Sequence, residues 1–199
     1  MQFYRNYIKL DKVNRWIHNN QKDTWGKIKE EQITIKDLYV SYAAILAAIP
    51  PVAGLIGMSI IGMSFMGFRY RIPFGSAITY AVMHYILSLV GLYIVGMVTN
   101  ALAPSFSSQK NMLNAIKVAI FSSTPNWVAG ILLIIPALSP IAMLLSLYSL
   151  YLFYLGLPVL METPKEKTLG YVIVVIILSI IVFFLTTSIA GLFIPSRGR

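Results

Sequence analysis

Residues 169–185 read LGYVIVVIILSIIVFFL, and this stretch decides the fold of the chain. It contains no charged side chain and belongs to an apolar segment of residues 169–194. A helix needs about 20 such residues to cross the hydrocarbon of a bilayer. Four more segments of this kind precede it, at residues 38–66, 74–102, 115–135 and 140–160. The sequence therefore predicts an all-α polytopic membrane protein with five transmembrane helices.

Composition supports this class and divides the chain in two. The 199 residues are 57% hydrophobic with a mean hydropathy of +0.73, and only 12% are charged, about half the usual share of a soluble domain. Residues 1–37 hold 13 of the 23 charged side chains. These values exclude a soluble globular domain, a disordered chain, a coiled coil and a disulfide scaffold. We predict a basic cytoplasmic head at residues 1–37 and a five-helix transmembrane domain at residues 38–199.

The head contains the pattern of an amphipathic helix at residues 3–18. Apolar residues recur there every three or four positions, and basic residues follow on the other side, at Arg5, Lys9, Lys12 and Arg15. This pattern is typical of a helix that lies among anionic lipid headgroups. The alternative is a helix that packs on the protein's own cytoplasmic face. A second short helix is predicted at Thr24–Gln32, with Trp25 and Ile28 turned inward.

The distribution of basic residues predicts the orientation in the membrane. With five spans, 12 of the 16 Lys and Arg residues fall on the side of the head. The positive-inside rule then places the N-terminus in the cytoplasm and the C-terminus outside. Lys117 is expected to snorkel from the third span to the cytoplasmic surface. The weakest boundary is the Pro136–Pro140 hairpin, where a re-entrant pair of segments is the alternative.

Small residues mark the first span as a packing helix. Gly57-Met-Ser is followed by Gly62-Met-Ser and then Gly67, and the pairs Ala43/Ala47 and Ala44/Ala48 lie in the same segment. Small side chains allow membrane helices to approach closely. We expect this helix to pack within the chain, with an oligomer interface as the alternative.

Polar groups and helix breaks are predicted to share one layer at mid-bilayer depth. At about 1.5 Å per residue, four spans each contribute to this layer, through Pro50, Pro51, His84, Asn126, Tyr148 and Tyr151. His84 also belongs to a stripe at four-residue steps, formed by Ser76, Tyr80, His84 and Ser88. The layer is either a site for a small solute, proton or ion, or a hydrogen-bonded core that fixes helix register.

Signatures of enzymes are absent from the sequence. It contains no G-x-S-x-G, H-E-x-x-H, Walker A or G-x-G-x-x-G motif, no cysteine, and no acidic residue inside a span. Four methionines could provide soft-metal ligands, although methionine is common in apolar helices: Met58, Met63, Met66 and Met83. We therefore expect a protein that is not an enzyme and has no metal, cofactor or nucleic-acid partner.

Two boxes in the second half carry a family resemblance. They read Tyr148-Ser-Leu-Tyr-Leu-Phe-Tyr-Leu-Gly-Leu-Pro158 and Met161-Glu-Thr-Pro-Lys165, followed by Gly170-Tyr171. Together with Ala103-Pro-Ser-Phe, Ser122-Ser-Thr-Pro-Asn-Trp127 and Trp25-x-x-Ile28-x-x-Glu31, they resemble the bacterial branch of the Yip family of Ypt/Rab-interacting membrane proteins. The family-like motif residues are Tyr151, Tyr154, Gly156, Pro158, Gly170 and Tyr171.

The resemblance implies five spans, a cytoplasmic N-terminus, an external C-terminus and residence in a bacterial inner membrane. Eukaryotic relatives contact small GTPases through a longer N-terminal region, so GTPase binding is not expected of this short basic head. We predict a scaffold that organises the membrane or binds partner proteins, with anionic lipids and a homo-oligomer or membrane-protein partner. The alternative is a small channel or transporter that uses the mid-span layer.

Overall fold

The computed structural model describes residues 23–65 and 68–192. A short helix at residues 23–30 (α1) precedes five long helical segments. These are α2 (Ile35–Ile61), α3 (Phe74–Leu102), α4 (Met112–Ala129), α5 (Pro136–Leu160) and α6 (Lys165–Leu192). Short 3-10 turns at Ala103–Phe106 and Gly130–Ile134 continue α3 and α4. With these turns, α2 to α5 are each long and apolar enough to cross a membrane.

Two of the long segments are composite. Helix α2 contains π-helical turns at Tyr39–Ala43 and Gly57–Ile61, separated by α-helix at Ala44–Ala47 and Ile49–Ile56. Its first turn, Ile35–Leu38, begins where the hydroxyl of Thr34 accepts a hydrogen bond from the N–H of Asp37 at 3.1 Å. Helix α5 joins a 3-10 turn at Pro136–Leu138 to α-helix at Ser139–Ser146 and Tyr148–Leu160.

Helix α2 ends at Ile61, earlier than the sequence predicted. Gly62 has a φ of +79°, which favours glycine and turns the chain out of the helix. Strand β1 (Met63–Phe65) then pairs antiparallel with β2 (Phe68–Tyr70), so that Met63 faces Tyr70. The prediction of helix over residues 62–65 was wrong. The predicted helical class is confirmed, and this hairpin is the departure from it within the described residues.

Helix α4 lies at the centre of the bundle. Six consecutive side chains from Ala115 to Ile120 are buried, whereas the other long helices each bury only part of their surface. One core joins α4 to α1, α5 and α6, and a second joins it to α2 and α3. Large apolar side chains elsewhere point outward, for example Ile45, Met143 and Leu144. A bilayer would cover this surface.

Many hydroxyl groups inside the spans are satisfied by nearby groups, whereas the buried Oδ1 of Asn100 has no partner among the described residues. Several hydroxyls donate to the carbonyl four residues earlier in their own helix: Thr79, Thr99, Ser122, Ser146, Thr168 and Ser179. Between helices, the Tyr85 hydroxyl donates to the Ala44 carbonyl at 2.8 Å, and the hydroxyls of Tyr42 and Thr124 bond at 2.8 Å. Such bonding is needed where no water is available.

Of the predicted Gly57, Gly62 and Gly67 repeat, Gly57 packs against another helix of the chain, Gly62 forms the turn after α2, and Gly67 lies outside the described residues. A Cβ at Gly57 would overlap the carbonyl oxygen of Leu133 and lie 2.9 Å from that of Ile134. On the same pair of helices, a Cβ at Gly130 would lie 2.5 Å from the Pro50 ring. Helix α2 therefore touches the end of α4 backbone to backbone.

Candidate functional site

Helix α1 is docked on the end of the bundle where α4 begins and α5 ends. Trp25 is only 4% exposed, and Ile28 packs against the same core, as the sequence predicted. A Cβ at Gly156 would lie 3.0 Å from two Trp25 ring atoms and 2.7 Å from Cγ2 of Val118. Because glycine has no Cβ, the indole fits against the backbone of α5.

Lys117 holds the other end of α1. Its side chain is 1% exposed, and its ammonium donates to the carbonyl oxygens of Ile28 at 2.7 Å and Glu31 at 2.6 Å. A longer bond reaches the Lys29 carbonyl at 3.4 Å. The final carbonyls of a helix lack partners in the helix and carry partial negative charge. The prediction that Lys117 snorkels was wrong, because α1 covers it and supplies its acceptors.

Glu162 ties three segments together beside this docking site. Its carboxylate accepts from Lys29 Nζ at 2.7 Å and from Gln109 Nε2 at 2.5 Å. The N–H of Gln109 donates to the Met161 carbonyl at 2.8 Å. The ion pair is largely exposed, and such pairs contribute about 0–1 kcal/mol. We infer that the buried Trp25 and Lys117 hold α1 in place, while Glu162 fixes its direction.

Replacing Lys117 by Met should release α1. The change removes all three donors and leaves the carbonyls of Ile28 and Glu31 to find water, and an unsatisfied buried acceptor costs about 1–3 kcal/mol. Limited proteolysis of the purified protein should then cut within residues 23–31 at least tenfold faster. Lys110→Met is the control and should leave the rate unchanged. Equal rates of cutting in Lys117→Met and in the unmodified protein would contradict the role of Lys117 in holding α1.

The structure brings four of the six predicted mid-span residues together. Pro50, Pro51 and His84 line a cavity of about 140 Å³. His84 also lines a second cavity, of about 250 Å³, which reaches Asn126. Tyr148 and Tyr151 line neither. They are 45% and 41% exposed, and their rings lie 5.7 Å apart on the outer surface of α5.

Three of the four residues of the predicted stripe on α3 face these cavities, and Ser76 lines neither. Tyr80 and His84 stack with their ring centroids 5.8 Å apart, and both line the smaller cavity. His84 and Ser88 line the larger one. The four-residue spacing thus points the stripe toward the bundle interior.

The family-like motif residues occupy different environments. Tyr151 and Tyr154 are exposed, whereas Gly156 lies in the docking site and the helix continues through Pro158 to Leu160. On α6, Tyr171 is fully buried, stacks on Phe106 with centroids 4.6 Å apart, and donates from its hydroxyl to the Thr99 carbonyl. A Cβ at the neighbouring Gly170 would lie 3.6 Å from Cε1 of Phe106, an ordinary contact distance. The predicted lipid-binding residues lie outside the described residues: Arg5, Lys9, Lys12 and Arg15.

A family model described as the Yip1 domain matches residues 17–186. The chain belongs to the Yip1 family. Two curated relatives are both called inner membrane protein YohC, one from Escherichia coli strain K12 and one from Escherichia coli O6:H1 strain CFT073. Each is 28% identical over 152 residues, which cover 72% of this chain and 76% of the relative. No solved structure matches the chain.

The Yip1 match includes both candidate sites. Trp25, Lys117 and Gly156 of the docking site lie within residues 17–186, as do His84 and Asn126. This Yip1 membrane protein therefore carries the short docked helix and the mid-span cavities inside the family domain.

Two residues of the candidate sites were not predicted from the sequence. Lys117 was assigned to the surface, although a cation within the apolar run of residues 115–121 signals a need for nearby acceptors. Ser179 lines the larger cavity. Its signal was its position as the single hydroxyl among the apolar residues 172–185.

Proposed function

We propose that this Yip1 protein is a non-enzymatic scaffold of the bacterial inner membrane. Its basic head binds anionic lipid headgroups, and the docked helix α1 holds that head at the membrane surface. The name of its relative, an inner membrane protein, supports the location.

The proposal includes five spans, with α6 as the fifth. Helix α6 has 28 residues, which at 1.5 Å per residue gives about 42 Å, enough to cross a bilayer. An odd number of spans puts the two ends on opposite sides of the membrane, and the positive-inside rule then assigns the head to the cytoplasm and the C-terminus to the periplasm. The positions of the basic residues agree, since Lys29, Lys117 and Lys167 share the docking end, while Arg71 lies beyond β2 at the other end.

The docking of α1 is the observation that carries the scaffold proposal. Because Trp25 is buried and Lys117 bonds the carbonyls at the end of α1, this helix is fixed at a defined end of the bundle. Lys36, Lys110 and Lys165 lie on the connections and helix starts at this same end. Within the described residues of this end, seven lysines stand beside six acidic residues, so the excess of positive charge offered to an anionic leaflet comes from the basic residues of the sequence at positions 1–22.

Binding of the head to vesicles tests this function. We expect a peptide of residues 1–37 to bind vesicles with about 30% anionic lipid and not vesicles of neutral lipid alone. Each basic residue near such a surface contributes about 1 kcal/mol. Replacing Arg5, Lys9, Lys12 and Arg15 with Gln should therefore weaken binding by at least about 100-fold. Equal binding to both kinds of vesicle, measured by co-sedimentation, would count against the proposal.

A small transporter is the second candidate, favoured by the two cavities that meet at His84. In that case proteoliposomes should pass ions or small solutes, and His84→Ala with Asn126→Ala should change the flux. Flux that is absent, or unchanged by both substitutions, would remove this candidate and leave the scaffold proposal intact.

A further inference from the structure

Polar side chains from three helices converge on the larger cavity, of about 250 Å³. Helix α3 supplies His84 and Ser88, α4 supplies Ser123 and Asn126, and α6 supplies Ser179. None of the described residues that line this cavity is charged. A charged ligand would lose its hydration there without gaining a counter-ion. The cavity therefore suits a neutral ligand.

The polar groups that line the cavity differ in the hydrogen bonds that they can still form with a ligand. The cavity's three hydroxyls donate to carbonyls of their own helices, from Ser88 to Tyr85 at 2.8 Å, and from Ser123 and Ser179 at 2.7 Å each. Their lone pairs remain as acceptors. Neither the His84 imidazole nor the Asn126 carboxamide has a hydrogen-bond partner among residues 23–65 and 68–192. These two groups each offer a donor and an acceptor to a ligand.

Access to the cavity is sideways from the bilayer. Asn126 is exposed although it lies near the middle of the segment Met112–Ile134. Val128 on the same helix and Ile131 in the 3-10 turn that continues it are 52% and 55% exposed, so hydrocarbon reaches α4 at this depth. A ligand that reaches the cavity through this opening must already be dissolved in the membrane.

The volume limits the size of the bound group. An apolar cavity of about 150 Å³ binds benzene, so one of about 250 Å³ holds a six-membered ring with substituents. An apolar tail on such a ring would remain in the bilayer outside the opening.

We propose that this cavity binds the ring headgroup of a neutral lipid whose oxygens form hydrogen bonds, the chemistry of membrane quinones. Asn126 and His84 would bond the ring oxygens, and Trp127 forms the adjacent wall. The proposal concerns binding only. It goes beyond the scaffold function and does not depend on it.

Quenching of tryptophan fluorescence by a decyl-substituted benzoquinone tests the site in the full chain, reconstituted in neutral-lipid nanodiscs. Comparison with a Trp127→Phe variant isolates the signal of Trp127. We expect saturable quenching, and about tenfold weaker binding in Asn126→Leu and in His84→Leu. Tyr151→Phe is the control, because this residue lies at a similar depth outside the cavity, and it should bind as the unmodified protein does.

The outcomes separate this site from both proposed functions. Quenching that rises linearly with the quinone fraction, or equal affinity in Asn126→Leu, would overturn the proposal. If His84→Leu lowers the midpoint of thermal unfolding, a second variant replaces it in the test. Ser179→Leu fills the same cavity from α6 and is also expected to weaken quinone binding about tenfold. Solute flux without saturable quinone binding would overturn this inference and support the transporter.

Discussion

Gly57→Ala is expected to lower the stability of the bundle by about 3 kcal/mol, at the upper end of the usual range for overpacking. The added methyl group would overlap the Leu133 carbonyl oxygen and press on that of Ile134. Both obstacles are backbone atoms, so rotation of a side chain cannot relieve the overlap, and α2 must move away from α4. In detergent, the midpoint of thermal unfolding should fall by about 6–12 °C.

Gly54→Ala provides the matched control for this prediction. Gly54 lies one turn earlier on the same helix, and a Cβ there meets no atom within 4 Å. Because alanine is also the better helix former by about 1 kcal/mol, the midpoint should stay the same or rise. A similar loss in both variants would show that the close approach of α2 to α4 at Gly57 does not determine the result.

Trp25→Ala is expected to undock α1. Truncation of a buried tryptophan typically costs about 3–5 kcal/mol, and Trp25 is the buried residue of α1 in the core, where its ring packs against Gly156. The undocked population should therefore rise at least about 100-fold. Since the chain has no cysteine, Ile28→Cys introduces a single thiol that reports the undocking of α1. In the Trp25→Ala background, a water-soluble maleimide should label this thiol at least about 100-fold faster.

Tyr151→Ala tests whether this effect belongs to the docking site. It removes a large aromatic ring from α5, five residues before Gly156, but one that is 41% exposed. Labelling at Ile28→Cys should keep its rate. If Tyr151→Ala accelerated it as much as Trp25→Ala does, the burial of Trp25 would not be what holds α1.

The positions of the helices along the chain could be predicted because apolar run length is a property of the sequence alone. The segment at residues 74–102 matches α3 at both ends, and the short helix before the first span is present with Trp25 inward. The end of α2 could not be predicted in the same way. Residues 62–65 are as apolar as the helix before them, and the backbone angle at Gly62 interrupts the helix.

The depth of the candidate site residues in the membrane could be predicted from the sequence, but the direction in which their side chains point could not. His84 and Asn126 share a cavity, whereas Tyr148 and Tyr151, placed at the same depth by residue counting, lie on the outside of α5. Rotation of a helix about its axis is set by the surfaces that it packs against, and α5 turns Phe153 and Gly156 toward α1 and α4. Lys117 was misplaced for a related reason, because its acceptors are backbone carbonyls on a segment 86 residues or more away in the chain.

Labelling of single cysteines from each side of the membrane tests the central claim most directly, namely that five spans hold the docked helix α1 on the cytoplasmic side. The variants are Lys27→Cys, on the exposed side of α1, and Ser196→Cys near the C-terminus. A membrane-impermeant maleimide should modify residue 27 only in inverted inner-membrane vesicles, and residue 196 only in intact spheroplasts. Modification of both residues from the same side would contradict the account.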